Sequence, residues 1–168
     1  MVQDADETRY LLASDRFSME RSRTENIISR ASQGIAVSGT LMALFLGLGN
    51  SAITNLKSTN PSLPNLRLSL IVGLILFGID FLVFFYAQRF VTYRFDPDPA
   101  AITNQLAGMT NPQLMRQLTS NIVDATIFNH GLNDFKTGII RIGYYLLGVS
   151  ILAVLVFGIG LVMALNNQ

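Results

Sequence analysis

Apolar residues along the chain gather into three long runs separated by polar, proline-bearing stretches. The first run spans residues 34–56 (GIAVSGTLMALFLGLGNSAITNL), the second 68–90 (LSLIVGLILFGIDFLVFFYAQRF) and the third 139–165 (IIRIGYYLLGVSILAVLVFGIGLVMAL). Crossing a hydrocarbon core about 30 Å thick takes about 20 such residues as a helix, and a backbone surrounded by lipid must satisfy its own hydrogen bonds. The pattern therefore predicts an all-α polytopic membrane protein with three transmembrane helices. Residues 1–33 form a charged N-terminal cytoplasmic helix, 34–95 a transmembrane hairpin, 96–138 a helical cytoplasmic segment, and 139–168 the third span with a short tail.

The stretches between the runs carry the stop signals. Pro61 and Pro64 are expected to break the chain into a short turn, because proline lacks a donor and restricts the residue before it. The DPDP sequence after Phe95 ends the second helix, and Asn111-Pro112 reads as the N-cap and first position of the next, which runs on into the third span. Met115, Leu118, Ile122, Ala125, Asn129, Leu132, Lys136 and Ile139 then recur at alternating steps of three and four, the seam of a helix that packs on another. That stripe serves either packing within one subunit or a contact between subunits. In residues 1–33 the apolar side chains Leu11, Leu12, Phe17, Met19, Ile27 and Ile28 are too sparse for a strong stripe, so a solvated helix is expected there.

Composition agrees with the pattern. Half of the residues are apolar and 14% are charged, far from the roughly one-quarter of soluble domains. A net charge of +1 with no basic patch disfavours direct nucleic-acid binding. The absence of cysteine removes disulfides, thiol nucleophiles and cysteine metal sites. The polar first thirty residues lack the apolar core of a cleavable leader, so the first span is expected to act as the targeting signal. No domain is expected after the third span. Arg21, Arg23, Arg30, Arg89, Arg94, Lys136 and Arg141 fall on one side of the spans and Lys57 and Arg67 on the other. By the excess of positive charge on the inner side, this places the N-terminus and the 96–138 segment in the cytoplasm and the C-terminus outside a cell inner membrane.

Among candidate functional residues Asp80 stands out, because a carboxylate near the middle of a span costs on the order of 2.5–3.5 kcal/mol to insert. It either lines a polar pathway, repeated around an oligomer, or is held by a hydrogen bond between helices. Counting from the span ends puts Ser150 at its level and Thr40 about a turn away. With Ser38 and Asn50 these residues form the expected pore or intramembrane polar set. Gly39, Gly47, Gly73, Gly148 and Gly158 are the expected helix-packing positions, since small residues let membrane helices approach closely. Met115, Leu118, Ile122, Asn129 and Leu132 are the expected interaction helix. His130, the single histidine, lies with Asp124, Asn129 and Asp134 on one helical segment, where a solvated side chain is commoner than a metal ligand. Neither a catalytic constellation nor a cofactor or metal motif is present, so the function expected is not enzymatic.

The arrangement of SRASQGIAVSGTLMALFLGLG, a short hairpin, an Asn-Pro-initiated amphipathic helix and a third span opening NHGLNDFKTGIIRIGYYLLG resembles small prokaryotic membrane proteins of conflict and defence systems, the SLATT and Pycsar-type transmembrane effectors among them. The resemblance implies a homo-oligomeric effector in contact with membrane lipids, forming a pore or channel on a signal from a cytoplasmic sensor or partner protein. It departs from the fuller members in lacking a nucleotide-binding domain. A non-conducting membrane anchor or scaffold subunit is the alternative.

Overall fold

The computed structural model describes residues 2–56, 60–89, 93–94 and 108–166. Lys57, the end of the second span at Phe90, the DPDP stop, the 100–107 part of the segment between the spans and the tail at 167–168 lie outside the described residues. The chain is all-helical, with α1 at Val2–Thr54, α2 at Leu63–Arg89 and α3 at Asn111–Asn166. All three are long and apolar enough to cross a membrane. With 53 residues in α1 and 56 in α3, each greatly exceeds the roughly 20 a bilayer needs. Two compact units result, one from residues 1–27 and 90–136, the other from 28–89 and 137–168.

In the second unit the helices interdigitate through one face each. The buried positions of α2 are Leu66, Leu70, Gly73, Phe77, Asp80, Phe84 and Ala87, an unbroken alternation of four and three that keeps one seam inward. Gly34 lies under Phe84, Ser38 under Asp80, Phe45 against Phe77, and Gly49 under Leu70. Numbers rise along α1 as they fall along α2, so the two are antiparallel. Phe157 of α3 meets Phe45 edge-on at 5.3 Å, and Gly143 lies against Phe84. Large side chains thus face glycines at several layers, Phe84 at Gly34 and Gly143 and Leu70 at Gly49, which brings the backbones close there.

The turn between α1 and α2 corrects one expectation. Pro64 does not break the helix but sits in its first turn, where a missing N–H leaves no bond unmade. Buried Asn60 organises the connection: its Oδ1 accepts from Ser62 N at 2.9 Å and its Nδ2 donates to the carbonyl of Ala164 at 2.9 Å, satisfying a last-turn acceptor of α3.

In the first unit the arm of α1 and the first half of α3 run parallel, paired at Asp6 with Arg116, Glu20 with His130, and Thr24 with Asn133. The arm is therefore not a solvated helix. Its inward positions Asp6, Ala13, Thr24 and Ile27 follow the heptad, while Leu11, Leu12 and Met19 point outward. Thr110, not Asn111, caps α3, since both its N–H and its hydroxyl donate to Gln113 Oε1, at 3.2 and 3.0 Å. The seam of α3 is also corrected. Ile122, Ala125 and Asn129 are buried as expected, but the next step is again four residues, so Asn133 is fully enclosed and Leu132 only half-buried. Two successive four-residue steps rotate the seam, and from there it passes through Lys136, Ile140 and Gly143, leaving Ile139 half-buried.

Candidate functional site

Three polar features lie along these helices. The first is inside the second unit. Asp80 and Ser38 are both fully buried, and Ser38 Oγ donates to Asp80 Oδ2 at 2.5 Å. Asp80 Oδ1 is buried without a hydrogen-bond partner. On α2 the acid is bracketed one seam position either way by Phe77 and Phe84, themselves fully buried, so its surroundings are apolar. Ser150 is fully buried too, but its hydroxyl donates to Leu146 O of its own helix at 3.0 Å.

The second feature is the opposite face of α1. Thr40, expected about a turn from Asp80, and Asn50, expected in the same polar set, both point outward. They belong to a stripe of outward positions, Gln33, Ala36, Thr40, Ala43, Gly47, Asn50 and Thr54, stepping by three and four without interruption. The stripe lies two residues, or about 200°, from the buried seam. Helix α1 thus carries two heptad seams back to back, one filled by its own chain. Bulky residues also face outward on all three helices: Val37, Leu44 and Leu48 beside the stripe on α1, Leu68, Ile71, Ile75 and Leu82 on α2, and Leu152, Leu155, Val156, Ile159 and Val162 on α3.

The expected packing glycines divide between these faces. Gly73 is enclosed under the Phe45 ring, and a Cβ on Gly39 would lie 3.9 Å from Phe81, whereas one on Gly47, Gly148 or Gly158 would meet nothing within 4 Å. Close approach within the chain falls instead to Gly34, Gly49, Gly143 and Gly160. The interaction helix is likewise used internally: Ile122 and Asn129 are buried and Met115, Leu118 and Leu132 half-buried inside the first unit.

The third feature is an ionic cluster in the first unit. His130 Nδ1 donates to Glu20 Oε1 at 2.6 Å, and its Nε2 lies 3.5 Å from Asp134 Oδ2. Arg23 bridges the helices, 2.5 Å from Asp134 and 3.4 Å from Glu20. Asn133 Nδ2 donates to Glu20 Oε2 at 2.7 Å and Thr24 Oγ1 to Asn133 Oδ1 at 3.3 Å. Sequence reading placed His130 and Asp134 together but missed Glu20, Arg23 and Asn133, because the pairing of two distant helices decides that contact. Asp124 takes no part and faces outward.

Two residues beyond α2 are held nearby. Asn129 acts as a backbone stand-in, accepting from Arg94 N at 3.0 Å and donating to Arg94 O at 2.9 Å. The Arg94 guanidinium lies 4.4 Å over Phe128, and the Lys136 ammonium 5.0 Å over the Tyr93 ring. Burial lowers the Lys136 ammonium below its ordinary value and raises the Tyr93 phenol.

Burial opposes the charge on Glu20, but the hydrogen bonds from His130 and Asn133 and the nearby Arg23 outweigh it and hold the carboxyl below its ordinary value. Asp134 is lowered chiefly by its hydrogen bond from Arg23. For an acid lowered on folding, the unfolded chain binds the proton more readily, so the stabilisation is complete above the ordinary carboxylate range and fades as pH falls through the folded value. We expect amide protection in 20–27 and 129–136, corrected for intrinsic exchange, to weaken between pH 6 and pH 3, and less so in Glu20→Gln. Equal protection at both pH values would show that the cluster does not hold these helices together.

Comparison with protein-family models, with curated proteins and with solved structures returns no match for this chain.

Proposed function

We propose that the chain crosses a prokaryotic inner membrane three times, with its N-terminal arm and the 96–138 segment in the cytoplasm, and assembles into a homo-oligomer that changes membrane permeability. The membrane and its sidedness rest on the three apolar runs and on the basic residues at their inner ends. The oligomer and its pathway rest on one observation, the outward seam of α1. Polar side chains facing lipid are costly, and Asn and Thr in membrane helices find partners in other helices, each such bond contributing roughly 0.6–2 kcal/mol. A second row of small and polar residues at heptad spacing on α1, flanked by the exposed Leu44 and Leu48, fits helices of other copies arranged about a shared polar axis. Thr40 and Asn50 then line the pathway. Asp80 is enclosed within each subunit and takes no part in the pathway. The defensive role follows the resemblance drawn above, with a cytoplasmic partner supplying the trigger.

The enclosure of Asp80 and Ser38 favours a second reading, a non-conducting anchor, since the one midplane acid is withdrawn from every outer surface. Ion flux into liposomes containing the purified chain separates the two. The pore reading expects measurable flux, a drop of at least tenfold in Thr40→Leu/Asn50→Leu, and little change in Asp80→Asn. An intact oligomer that passes no ions removes the pore and leaves the anchor.

A further inference from the structure

The first unit carries a groove of about 440 Å³ between the arm of α1 and α3, lined among others by Leu12, Val123 and Ile127, with Arg9 and Arg16 from α1. Leu12 and Ile127 are 63% and 66% exposed, so the groove is open in a single chain. An apolar groove of this kind outside lipid marks a contact surface. Among the described residues, neither arginine has an ion-pair partner. Seven residues apart, they stand about 10 Å from each other along the helix.

The same helix bears the complement on a neighbouring face. Glu7, Leu11 and Asp15 are all exposed, and among the described residues neither carboxylate has an ion-pair partner. Four-residue steps place a leucine between two acids, as the groove has a leucine between two arginines. The two faces are about 130° apart around the helix.

We propose that the occupant of the groove is a second copy of this chain, whose Leu11 seats beside Leu12 while its Glu7 and Asp15 pair with Arg9 and Arg16. The inference rests on the membrane oligomer proposed above, and it adds the subunit contact outside the membrane. Register carries it. Copies inserted in one membrane with the same orientation lie level, so a contact between their parallel arms joins residues of nearly equal number. Arg9 opposite Glu7, Leu12 opposite Leu11 and Arg16 opposite Asp15 differ by two, one and one positions, at most about 3 Å along the axis. Because the donor face and the acceptor face differ, the contact is head-to-tail, and such a contact builds a ring when its rotation closes.

The chain has no cysteine, so introduced thiols report the contact without background. Full-length Leu11→Cys and Leu12→Cys copies, carrying tags of different size, are co-expressed and oxidised in native membranes. The expected product is a mixed dimer at least tenfold above that from either variant alone. Arg9→Glu/Arg16→Glu in the Leu12→Cys copy should lower its yield at least tenfold, and Glu7→Arg/Asp15→Arg in the Leu11→Cys copy should restore it. Background cross-linking, or a yield indifferent to both reversals, overturns the contact; if the particle mass in nanodiscs stays oligomeric, the groove then belongs to a foreign acidic helix or a lipid, and the membrane oligomer stands. A monomeric particle overturns both.

Discussion

A single methyl group at Gly34 is expected to unseat Phe84 and loosen the whole second unit. An ideal Cβ at Gly34 would lie 2.4 Å from Phe84 Cδ1, and one at Gly143 would lie 2.9 Å from Cε1 and Cζ of the same ring. Two helices therefore touch the ring, which is fully buried and meets Tyr144 edge-on at 5.2 Å, so it cannot swing aside. Replacing glycine by alanine inside a helix gains up to about 1 kcal/mol of backbone propensity, whereas forcing an extra carbon into a filled core costs typically about 1–3 kcal/mol. The clash should win. Gly34→Ala is expected to lower the unfolding free energy by about 1–2 kcal/mol net, read from SDS-induced unfolding in mixed micelles. Phe84→Leu in that background should recover part of the loss. Gly148→Ala is the matched control, with nothing within 4 Å of the added carbon, and should be neutral or slightly stabilising. An unchanged transition for Gly34→Ala would mean that the aromatic-on-glycine layer is not what holds α1, α2 and α3 together.

How much of this was open to sequence reading depended on what filled each inward position. The three apolar runs and the junction into α3 were legible, since lipid imposes long uniform stretches and Asn-Pro marks a helix start. The packing of the arm of α1 was not, because its seam is occupied by Asp6, Glu20 and Thr24, and a search for apolar periodicity passes over a seam made of paired polar groups. The partner of Asp80 was misplaced for a related reason. Counting inward from a span end assumes that the helix ends there, yet α1 runs unbroken from Val2 to Thr54 and offers no fixed origin. Thr40 and Ser150 were thus the hydroxyls offered to the acid and Ser38 was not, although the two residues from Ser38 to Thr40 turn a side chain by about 200°. The glycines show the same limit. Their presence is visible in the chain, but which of them face a ring depends on the phase of each helix, and Gly34 and Gly143 were found only with that phase in hand.

That phase also decides what removing the buried hydroxyl should do. Among the described residues Ser38 is the only hydrogen-bond partner of Asp80, whose second oxygen already has none. Ser38→Ala would leave an entire carboxyl group enclosed and unpaired, a loss of about 1–3 kcal/mol. The reverse substitution is asymmetric. In Asp80→Val, of similar size, the freed Ser38 hydroxyl can turn back to a carbonyl of its own helix, as Ser32 does to Ile28 at 3.0 Å and Ser150 to Leu146 at 3.0 Å. Asp80→Val should therefore be near neutral or stabilising, because it withdraws an incompletely satisfied polar group from an apolar layer. Ser38→Ala combined with Asp80→Val should cost less than Ser38→Ala alone, so the double-mutant cycle gives a coupling opposite in sign to the single loss. SDS-induced unfolding of the four proteins measures it. If Asp80→Val instead proved the most damaging member of the set while Ser38→Ala was silent, the acid would depend on something other than this hydrogen bond, and the division between an enclosed Asp80 outside the pathway and a pathway lined by Thr40 and Asn50 would have to be abandoned.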